Sequence, residues 1–253
     1  MIATHVHLDH AGGAGLLMRH LPPARLVVHP HGARHLIDPG RLMASAGGVY
    51  GEAEVACSYG DVLAVDAGHV LRTADGMMLA LAGRALKILD TPGHPRHHHC
   101  VWDARSSGIF TGDTFGLSYR EFDTERGPWL LPTTTPIQFQ PEALRRSVQR
   151  LVAYEPQSLY LTHYDRIGEA HRLAALLLDQ MDAMVALATT LPDDPGRHAA
   201  LVHGYASLYR QRLRAHGCTL TDARVDELLA LDCELNAQGM AFWLNRERHR
   251  RPA

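Results

Sequence analysis

The stretch Thr4-His5-Val6-His7-Leu8-Asp9-His10 places three histidines and one aspartate within seven residues. In an extended turn, alternation sends His5 and His7 to one side, while Asp9 and His10 fall past the bend and can face a second centre. Imidazole suits Zn, Fe and Mn, and a carboxylate beside it suits a hydrolytic metal. Chance is the alternative, but these residues would occur at these offsets in roughly 0.6% of shuffled sequences. The stretch therefore predicts a metal site.

Three later motifs add the residues that a site for two metals would need. Each follows a run of residues typical of a β-strand and ends in a turn: Thr91-Pro92-Gly93-His94, Thr111-Gly112-Asp113 and Leu161-Thr162-His163. The first and third project an imidazole, and the second projects a carboxylate that could bridge two metals. Loops at the C-terminal ends of strands are where ligands collect in α/β proteins. The motifs therefore predict one site built from distant parts of the chain.

In this order, the four motifs resemble those of the metallo-β-lactamase superfamily of binuclear metallohydrolases, over residues 1 to about 165. The resemblance implies two divalent metal ions, Zn with Fe or Mn as alternatives, and a bridging hydroxide as the nucleophile. The implied ligands are His5, His7 and His94 for the first metal, Asp9, His10 and His163 for the second, and Asp113 as the bridge. Among these, Asp9 and Asp113 are the implied catalytic residues.

The same resemblance implies an α/β fold, a metallo-β-lactamase-like αββα sandwich with a helical C-terminal segment. We expect a metal-binding domain over residues 1–165 and a helical segment over residues 166–253. Family members carry further strands before the first histidine, whereas four residues precede His5 here. The sequence is therefore expected either to be a fragment or to form an N-terminally truncated sandwich, whose pocket would be open.

Hydrophobic patterning is consistent with this fold class. Short apolar runs between turn residues predict strands, namely VLAV (62–65), HVLRT (69–73), MMLAL (77–81), ALKILD (85–90), CVWD (100–103), GIFTG (108–112) and SLYLT (158–162). Helical spacing of apolar residues predicts helices near 141–154, 168–190, 197–215 and 221–246.

Composition limits the class of protein and its partners. The chain is 46% hydrophobic and 21% charged, as soluble globular proteins are. A net charge of −2 provides no electrostatic reason to bind nucleic acid or anionic lipid. The apolar run from Leu173 to Leu191 is interrupted by Asp179 and Asp182, so no membrane span is expected. Four widely spaced cysteines and a polar first ten residues favour the cytoplasm.

Residues beyond the ligand set have two interpretations each. Tyr119 and Arg120 occupy the place where glyoxalase-like members of the superfamily bind substrate, and capping of a short helix is the equal alternative. Asp165 either orients a ligand or belongs to a surface turn. The run His97-His98-His99 replaces the usual continuation of the TPGH motif, and we expect none of the three to bind the metals and one at most to support them.

The resemblance implies hydrolysis of an ester-type bond in a lactone, a thioester or a phosphoester. Gly116 stands where lactonases of the superfamily have a tyrosine, which counts against a close copy of their site. No motif for glutathione binding is evident, and phosphotriesters need little beyond two metals and space. Since the expected truncation opens the pocket, we expect low selectivity among small-molecule esters.

Two other functions and one mode of assembly remain open. A persulfide dioxygenase-like oxidoreductase would use one iron with two histidines and one aspartate, and the full ligand set argues against it. A truncated, non-catalytic remnant is the other alternative. Missing strands would leave apolar surface uncovered, and a homodimer is the commonest way to bury such surface.

Overall fold

The computed structural model describes residues 1–134 and 136–250. The chain divides into two compact units. The first unit comprises Met1–Thr91 and Arg96–Arg105, and the second comprises Pro92–Pro95 and the chain from Ser106 onward. The domain boundary expected at residue 165 stays a prediction.

The first unit contains two groups of paired strands. Strands β1 (Leu26–Val28) and β2 (Val70–Arg72) pair in parallel. Strands β3 (Met78–Leu81), β4 (Arg84–Asp90) and β5 (His99–Asp103) form an antiparallel meander. β4 ends directly before the TPGH turn, so the sheet determines where that turn begins.

Five helices complete the first unit. They are α1 (Leu8–Ala11), α2 (Ala14–His20), α3 (Pro30–Ile37), α4 (Gly40–Tyr50) and α5 (Glu52–Tyr59). The core beneath them includes Val6, Leu26, Val28 and Leu36, each 2% exposed or less. Val6 lies between the first two histidines of the opening motif, so burying this one valine anchors the extended segment that carries them.

The predicted strand VLAV is wrong, whereas the other predicted strands are confirmed. Residues 62–65 are irregular, and the Val65 amide donates to the Leu36 carbonyl instead of a neighbouring strand. A Cβ at Gly15 would lie 1.8 Å from the Leu63 carbonyl oxygen. The segment therefore runs directly against α2, and that packing takes the place of strand pairing.

The second unit begins with three strands and a helix that support the remaining motifs. Strand β6 (Gly108–Gly112) pairs in parallel with β7 (Ser158–Leu161), and β8 (Arg166–Ile167) pairs antiparallel to β7. Helix α6 (Pro141–Val152) lies between β6 and β7 in the chain. β6 and β7 end at the same edge because parallel strands share their direction. Asp113 and His163 follow at that edge.

The helical C-terminal segment consists of α7 (Ala170–Thr190), α8 (Arg197–His216) and α9 (Asp222–Arg250). A chain of buried aromatic rings joins it to the loop after β6. Ring centroids are 5.7 Å apart for Phe122 and Trp129, 6.0 Å for Trp129 and Tyr209, and 6.1 Å for Tyr209 and Tyr205. Aromatic pairs at these distances stabilise beyond the area that they bury.

Within the described residues, α7 is the one helix that is long and apolar enough to cross a membrane by length and composition. Its Leu173, Leu177, Met181 and Met184 are buried, and it packs against α6, α8 and α9. A core helix of this length passes the same test, so one such helix is weak evidence for a membrane span.

Candidate metal centre

The first unit holds the first two histidines of the opening motif side by side. His5 and His7 lie on an extended segment, and His5 Nε2 is 2.9 Å from His7 Nδ1. The other ring nitrogen of His5, Nδ1, is 3.2 Å from the Thr4 hydroxyl. Alternation along the extended segment therefore brings both imidazoles to one side, as predicted.

Asp9 and His10 lie past the bend, in the first turn of α1. The Asp9 Oδ2 atom is 3.3 Å from His10 Nε2, and the side chains are 45% and 5% exposed. His10 also packs on His5, with ring centroids 4.0 Å apart. The backbone is still extended at His7, and the chain bends into α1 directly after it. The bend separates Asp9 and His10 from His5 and His7 along the chain but keeps the side chains adjacent.

In the second unit, Asp113 lies between two histidines. Its Oδ2 atom is 3.3 Å from His94 Nε2, and its Oδ1 atom is 3.8 Å from His163 Nε2. Asp113 is 5% exposed and His94 is 3% exposed. The two oxygens of one buried carboxylate therefore face two different imidazoles.

Distances within both units suit a metal ligand set. A tetrahedral ion with bonds of about 2.0–2.1 Å holds its ligand atoms about 3.3 Å apart. The pairs His5–His7, Asp9–His10 and Asp113–His94 lie at 2.9 to 3.3 Å. These donors are imidazole nitrogens and carboxylate oxygens, which suit Zn, Fe and Mn.

His94 is held by close packing of its turn on α6. Gly93 has φ +138°, and a Cβ there would lie 2.3 Å from the Leu144 amide nitrogen. The Ser147 hydroxyl donates to the Pro92 carbonyl at 2.7 Å. His94 Nδ1 lies 3.1 Å from the Thr133 carbonyl and 2.7 Å from the Thr133 hydroxyl. Only a glycine allows the turn to approach the helix this closely.

The turn that carries Asp113 also depends on glycines. Gly112 has φ +49°, at a register shift where β6 ends. Gly116 has φ +73°, and a Cβ there would lie 2.5 Å from the Leu131 carbonyl oxygen. This contact explains why the tyrosine of lactonases has no room at position 116.

The three consecutive histidines after the TPGH turn are buried beside the opening motif. His98 stacks on His5 with ring centroids 4.9 Å apart, and its Nδ1 lies 2.9 Å from the Thr91 hydroxyl. His97 meets His7 edge to face at 5.6 Å. His99 Nδ1 lies 3.2 Å from the Thr73 hydroxyl. The rings of His98 and His97 thus contact those of His5 and His7, whereas the His99 ring contacts Thr73. Support of the metals by any of the three stays a prediction.

Tyr119 and Arg120 make internal contacts. The Tyr119 hydroxyl donates to Asp232 Oδ2 at 2.6 Å. Arg120 forms an exposed ion pair with Asp165 at 2.5 Å and lies over the Tyr164 ring at 5.0 Å. Tyr119 is the N-cap residue of a short 3₁₀ helix (Arg120–Phe122), as the capping interpretation has it, but its side chain makes no cap hydrogen bond. Substrate binding by this pair stays a prediction.

Burial and charge also shift the pKa values of Tyr119 and of three residues that sequence reasoning missed. Burial raises the pKa of Asp232 to about 6, and burial together with Asp232 raises the pKa of Tyr119. Burial and the charge of Asp9 raise the pKa of Tyr50 and of Tyr59. Asp232, Tyr50 and Tyr59 belong to no motif, so no local pattern in the sequence could have identified them.

Comparison with known proteins identifies the family. The family model described as the metallo-β-lactamase superfamily matches residues 1–173. The chain belongs to the metallo-β-lactamase superfamily. This membership confirms the predicted α/β fold class, a metallo-β-lactamase-like αββα sandwich with a helical C-terminal segment.

Two curated relatives are similar to this chain over part of their length. It is 29% identical over 111 residues to a hydroxyacylglutathione hydrolase of Synechococcus sp. (strain JA-2-3B'a(2-13)), covering 44% of this chain and 32% of the relative. It is 26% identical over 156 residues to the metallo-β-lactamase fold-containing protein ST1585 of Sulfurisphaera tokodaii, covering 59% and 55%. The chain thus spans about a third and just over half of the length of these relatives.

Solved structures show the same fold. ST1585 superposes with a TM-score of 0.62 at 20% identity, covering 95% of this chain and 78% of that one. The metallo-β-lactamase family protein TTHA1429 from Thermus thermophilus superposes with a TM-score of 0.64 at 19% identity, covering 97% and 74%. Both likenesses extend over the C-terminal helices.

Proposed function

We propose that the protein is a metal-dependent hydrolase of ester-type bonds that uses two divalent ions. The observation that carries this proposal is the position of Asp113, whose two buried carboxylate oxygens face His94 and His163 separately. A carboxylate that binds a single ion needs a neighbouring imidazole ligand at one of its oxygens only. A carboxylate that bridges two ions needs an imidazole ligand near each oxygen.

The proposed ligands form two groups, one for each ion. His5, His7, His94 and Asp113 hold the first ion, and Asp9, His10 and His163 hold the second. Asp113 is shared between them. The proposal is supported by the ligand chemistry of each group and by the order of the motifs along the chain.

When bound, two divalent ions lower the pKa of water and polarise the oxygen of the scissile bond. The residues of the chain supply the positioning. The Thr133 carbonyl and hydroxyl lie 3.1 Å and 2.7 Å from His94 Nδ1 and orient the ring so that its Nε2 faces Asp113. The Thr4 hydroxyl lies 3.2 Å from His5 Nδ1 and orients the His5 ring. Such outer contacts typically change metal affinity by about 10- to 100-fold.

Among ester-type bonds, we favour a thioester or a phosphoester over a lactone. Similarity to a hydroxyacylglutathione hydrolase supports a thioester. The close approach of Gly116 to Leu131 leaves no room for a tyrosine, which counts against a lactonase site. Low selectivity among esters stays a prediction.

Metal analysis and a substrate panel test the proposal together. The protein is stripped with chelator and reconstituted separately with Zn, Fe(II) and Mn(II). Metals per chain are then counted, and rates are measured with thioesters, lactones, aryl esters and phosphotriesters. We expect two metals per chain, and ester hydrolysis that returns on reconstitution. One iron per chain, with oxygen uptake on persulfide and no ester hydrolysis, would replace the hydrolase with the oxidoreductase alternative. Full metal loading without any turnover would favour the non-catalytic one.

We also propose that the protein acts in the cytoplasm as a homodimer. Leu16, Leu17 and Leu21 of α2 and its C-terminal end expose between 43% and 53% of their surface. Clustered exposed leucines are typical of an interface. Light scattering at micromolar concentration measures the mass, and Leu17→Glu should lower it to that of a monomer. A wild-type monomer at that concentration contradicts the proposal.

A further inference from the structure

The first unit contains a cavity that none of the proposed metal ligands lines. Its volume is about 180 Å³, which is the liquid volume of about six water molecules and suits a ligand of about six non-hydrogen atoms. Its walls come from the ends of β2 and β4, from the start of β5 and from the start of α3. The lining residues include His29, Thr73, Asp75, Ile88, Asp90 and His99.

One buried imidazole in this wall has a ring nitrogen without a hydrogen-bond partner. His99 is 0% exposed. Its Nδ1 lies 3.2 Å from the Thr73 hydroxyl, whereas its Nε2 has no partner among the described residues. Burial lowers the pKa of His99 to about 4, so the ring is uncharged. Because a hydroxyl both donates and accepts, the contact with Thr73 is kept when Nδ1 carries the proton and Nε2 offers its lone pair.

The neighbouring histidine does not neutralise the carboxylate of Asp90. The His31 amide donates to His29 Nδ1 at 3.1 Å. A backbone amide can only donate, so Nδ1 offers its lone pair and the proton of His29 is on Nε2. This nitrogen then donates to Asp90 Oδ1 at 3.1 Å. An uncharged ring therefore orients the Asp90 carboxylate and leaves its negative charge in place.

Asp75 adds a second carboxylate to the wall. Its Oδ1 atom accepts from the Asp90 amide at 2.9 Å, and a carboxylate offers about four acceptor positions in all. Asp90 and His99 are paired residues of β4 and β5, so their side chains lie on the same face of the sheet. Among the described residues that line the cavity, none is a lysine or an arginine. The wall is therefore negatively charged and rich in acceptors.

A single metal ion does not suit these groups. A tetrahedral ion holds its ligand atoms about 3.3 Å apart, whereas the ring centroids of His29 and His99 are 6.4 Å apart. Within the described part of the chain, the groups of three or more donors that are close enough for one ion belong to the candidate metal centre. A molecule of several atoms can reach donors and acceptors that are farther apart.

We propose that this cavity binds a small organic cation, with a primary ammonium group at Asp75, Asp90 and His99 and a short apolar stem against Ile88. An ammonium group has three donors and no acceptor, which matches two carboxylates and one imidazole lone pair. Hydrogen bonds between charged groups are the stronger ones, and Ile88 supplies an apolar wall. None of these residues is a ligand in the proposed function, so the two proposals stand or fall separately.

The test uses pentylammonium as the probe and 1-pentanol as an uncharged molecule of the same size. Each is titrated into the metal-loaded protein, and binding is followed by ¹H–¹⁵N NMR of the backbone amides. We expect pentylammonium to give saturable shifts at residues 73–75, 88–90 and 99. The same concentrations of 1-pentanol should leave these signals in place, because the alcohol has no charge for the carboxylates.

Three variants separate the charge of the wall from its hydrogen bonds. Asp90→Asn can still accept from His29 but has no charge, and it should weaken pentylammonium binding by about 10-fold. Asp75→Asn should weaken it less, because Asp75 is exposed. Asp66→Asn is the matched control. The Asp66 Oδ1 atom also accepts from a backbone amide, that of Gly68, at 2.8 Å, but Asp66 does not line the cavity, so this variant should keep the wild-type affinity.

Several results would overturn the proposal. Equal affinity for 1-pentanol would show an apolar cavity that does not recognise charge, and no saturable binding of pentylammonium would leave the cavity to water. Shifts elsewhere that Asp90→Asn does not weaken would place the cation at another site. A third zinc ion per chain that is lost in Asp90→Asn would make this a metal site. If Asp90→Asn does not fold, equal affinities of Asp75→Asn and Asp66→Asn overturn the proposal instead.

Discussion

The two units arrange their candidate ligands in different ways. In the first unit, four candidate ligands come from the six residues His5 to His10, and their geometry follows from an extended segment that turns into α1. In the second unit, His94, Asp113 and His163 follow three different strands, and their contacts depend on α6, on the Thr133 loop and on α9. Local geometry is therefore sufficient to arrange the candidate ligands of the first unit, whereas packing across long sequence separations arranges those of the second.

Removing the shared carboxylate should have the largest effect. Asp113→Ala should lose at least one metal per chain and most hydrolytic activity, with metal affinity lower by more than about 100-fold, because a ligand matters more than its supporting contacts. Metal analysis and steady-state rates measure this. Asp182→Ala, an exposed residue paired with Arg145, is the control and should match the wild type. Two retained metals would show that Asp113 does not join them.

Removing one ligand from each proposed group tests whether the two ions bind independently of each other. His163→Ala should lower the metal content from two ions to one, since His5, His7 and His94 remain. His5→Ala removes an imidazole that is fully buried and contacts both His7 and His10, so it should lower both affinities. Titration with Co(II), followed by absorbance, separates the two events. Equal losses in both variants would mean that the ions bind as one unit.

A buried carboxyl on α9 should make stability depend on pH. Burial raises the pKa of Asp232 from 3.8 to about 6, so folding favours the protonated form. This contribution is fully present below pH 3.8 and is lost as the pH rises through about 6. The shift corresponds to about 3 kcal/mol.

The wild type is compared with the Asp232→Asn variant, and both are measured in the presence of a chelator. The variant should gain about 3 kcal/mol relative to the wild type between about pH 4 and pH 7, measured by urea unfolding at each pH. Asp226→Asn, at an exposed ion pair with Arg210, should show no such gain. Parallel pH profiles for Asp232→Asn and the wild type would mean that Asp232 ionises normally.

The smallest effect is expected at Arg120. Its ion pair with Asp165 is exposed on both sides, with 64% and 58% of the side chains accessible, so Arg120→Ala should change the free energy of unfolding by less than about 1 kcal/mol. If Arg120 binds substrate, KM should rise with kcat unchanged. Arg172→Ala, which breaks another exposed pair, serves as the control. An unchanged KM would remove Arg120 from the substrate site.

The strands and the C-terminal helices could be predicted wherever apolar residues recur at the spacing typical of a strand or of a helix. Strand β4 and helix α8 begin and end within one residue of their expected limits. VLAV has the composition of a strand, but it runs against α2 at Gly15, and no local pattern reports such a neighbour. Strand propensity depends on the residues of the segment itself, and packing against another element can override this preference.

By itself, the sequence determined the family, the fold class and the candidate ligands, because metal coordination requires particular side chains at particular offsets and these can be read in order along the chain. Only the tertiary structure revealed that His94 is oriented by Thr133, that Asn236 holds that loop, and that Tyr119 is bonded to Asp232. Hydrogen bonds between residues 39 to 113 positions apart in the chain leave no periodic pattern in it. They exist only once the packing of buried helices has brought the two partners together.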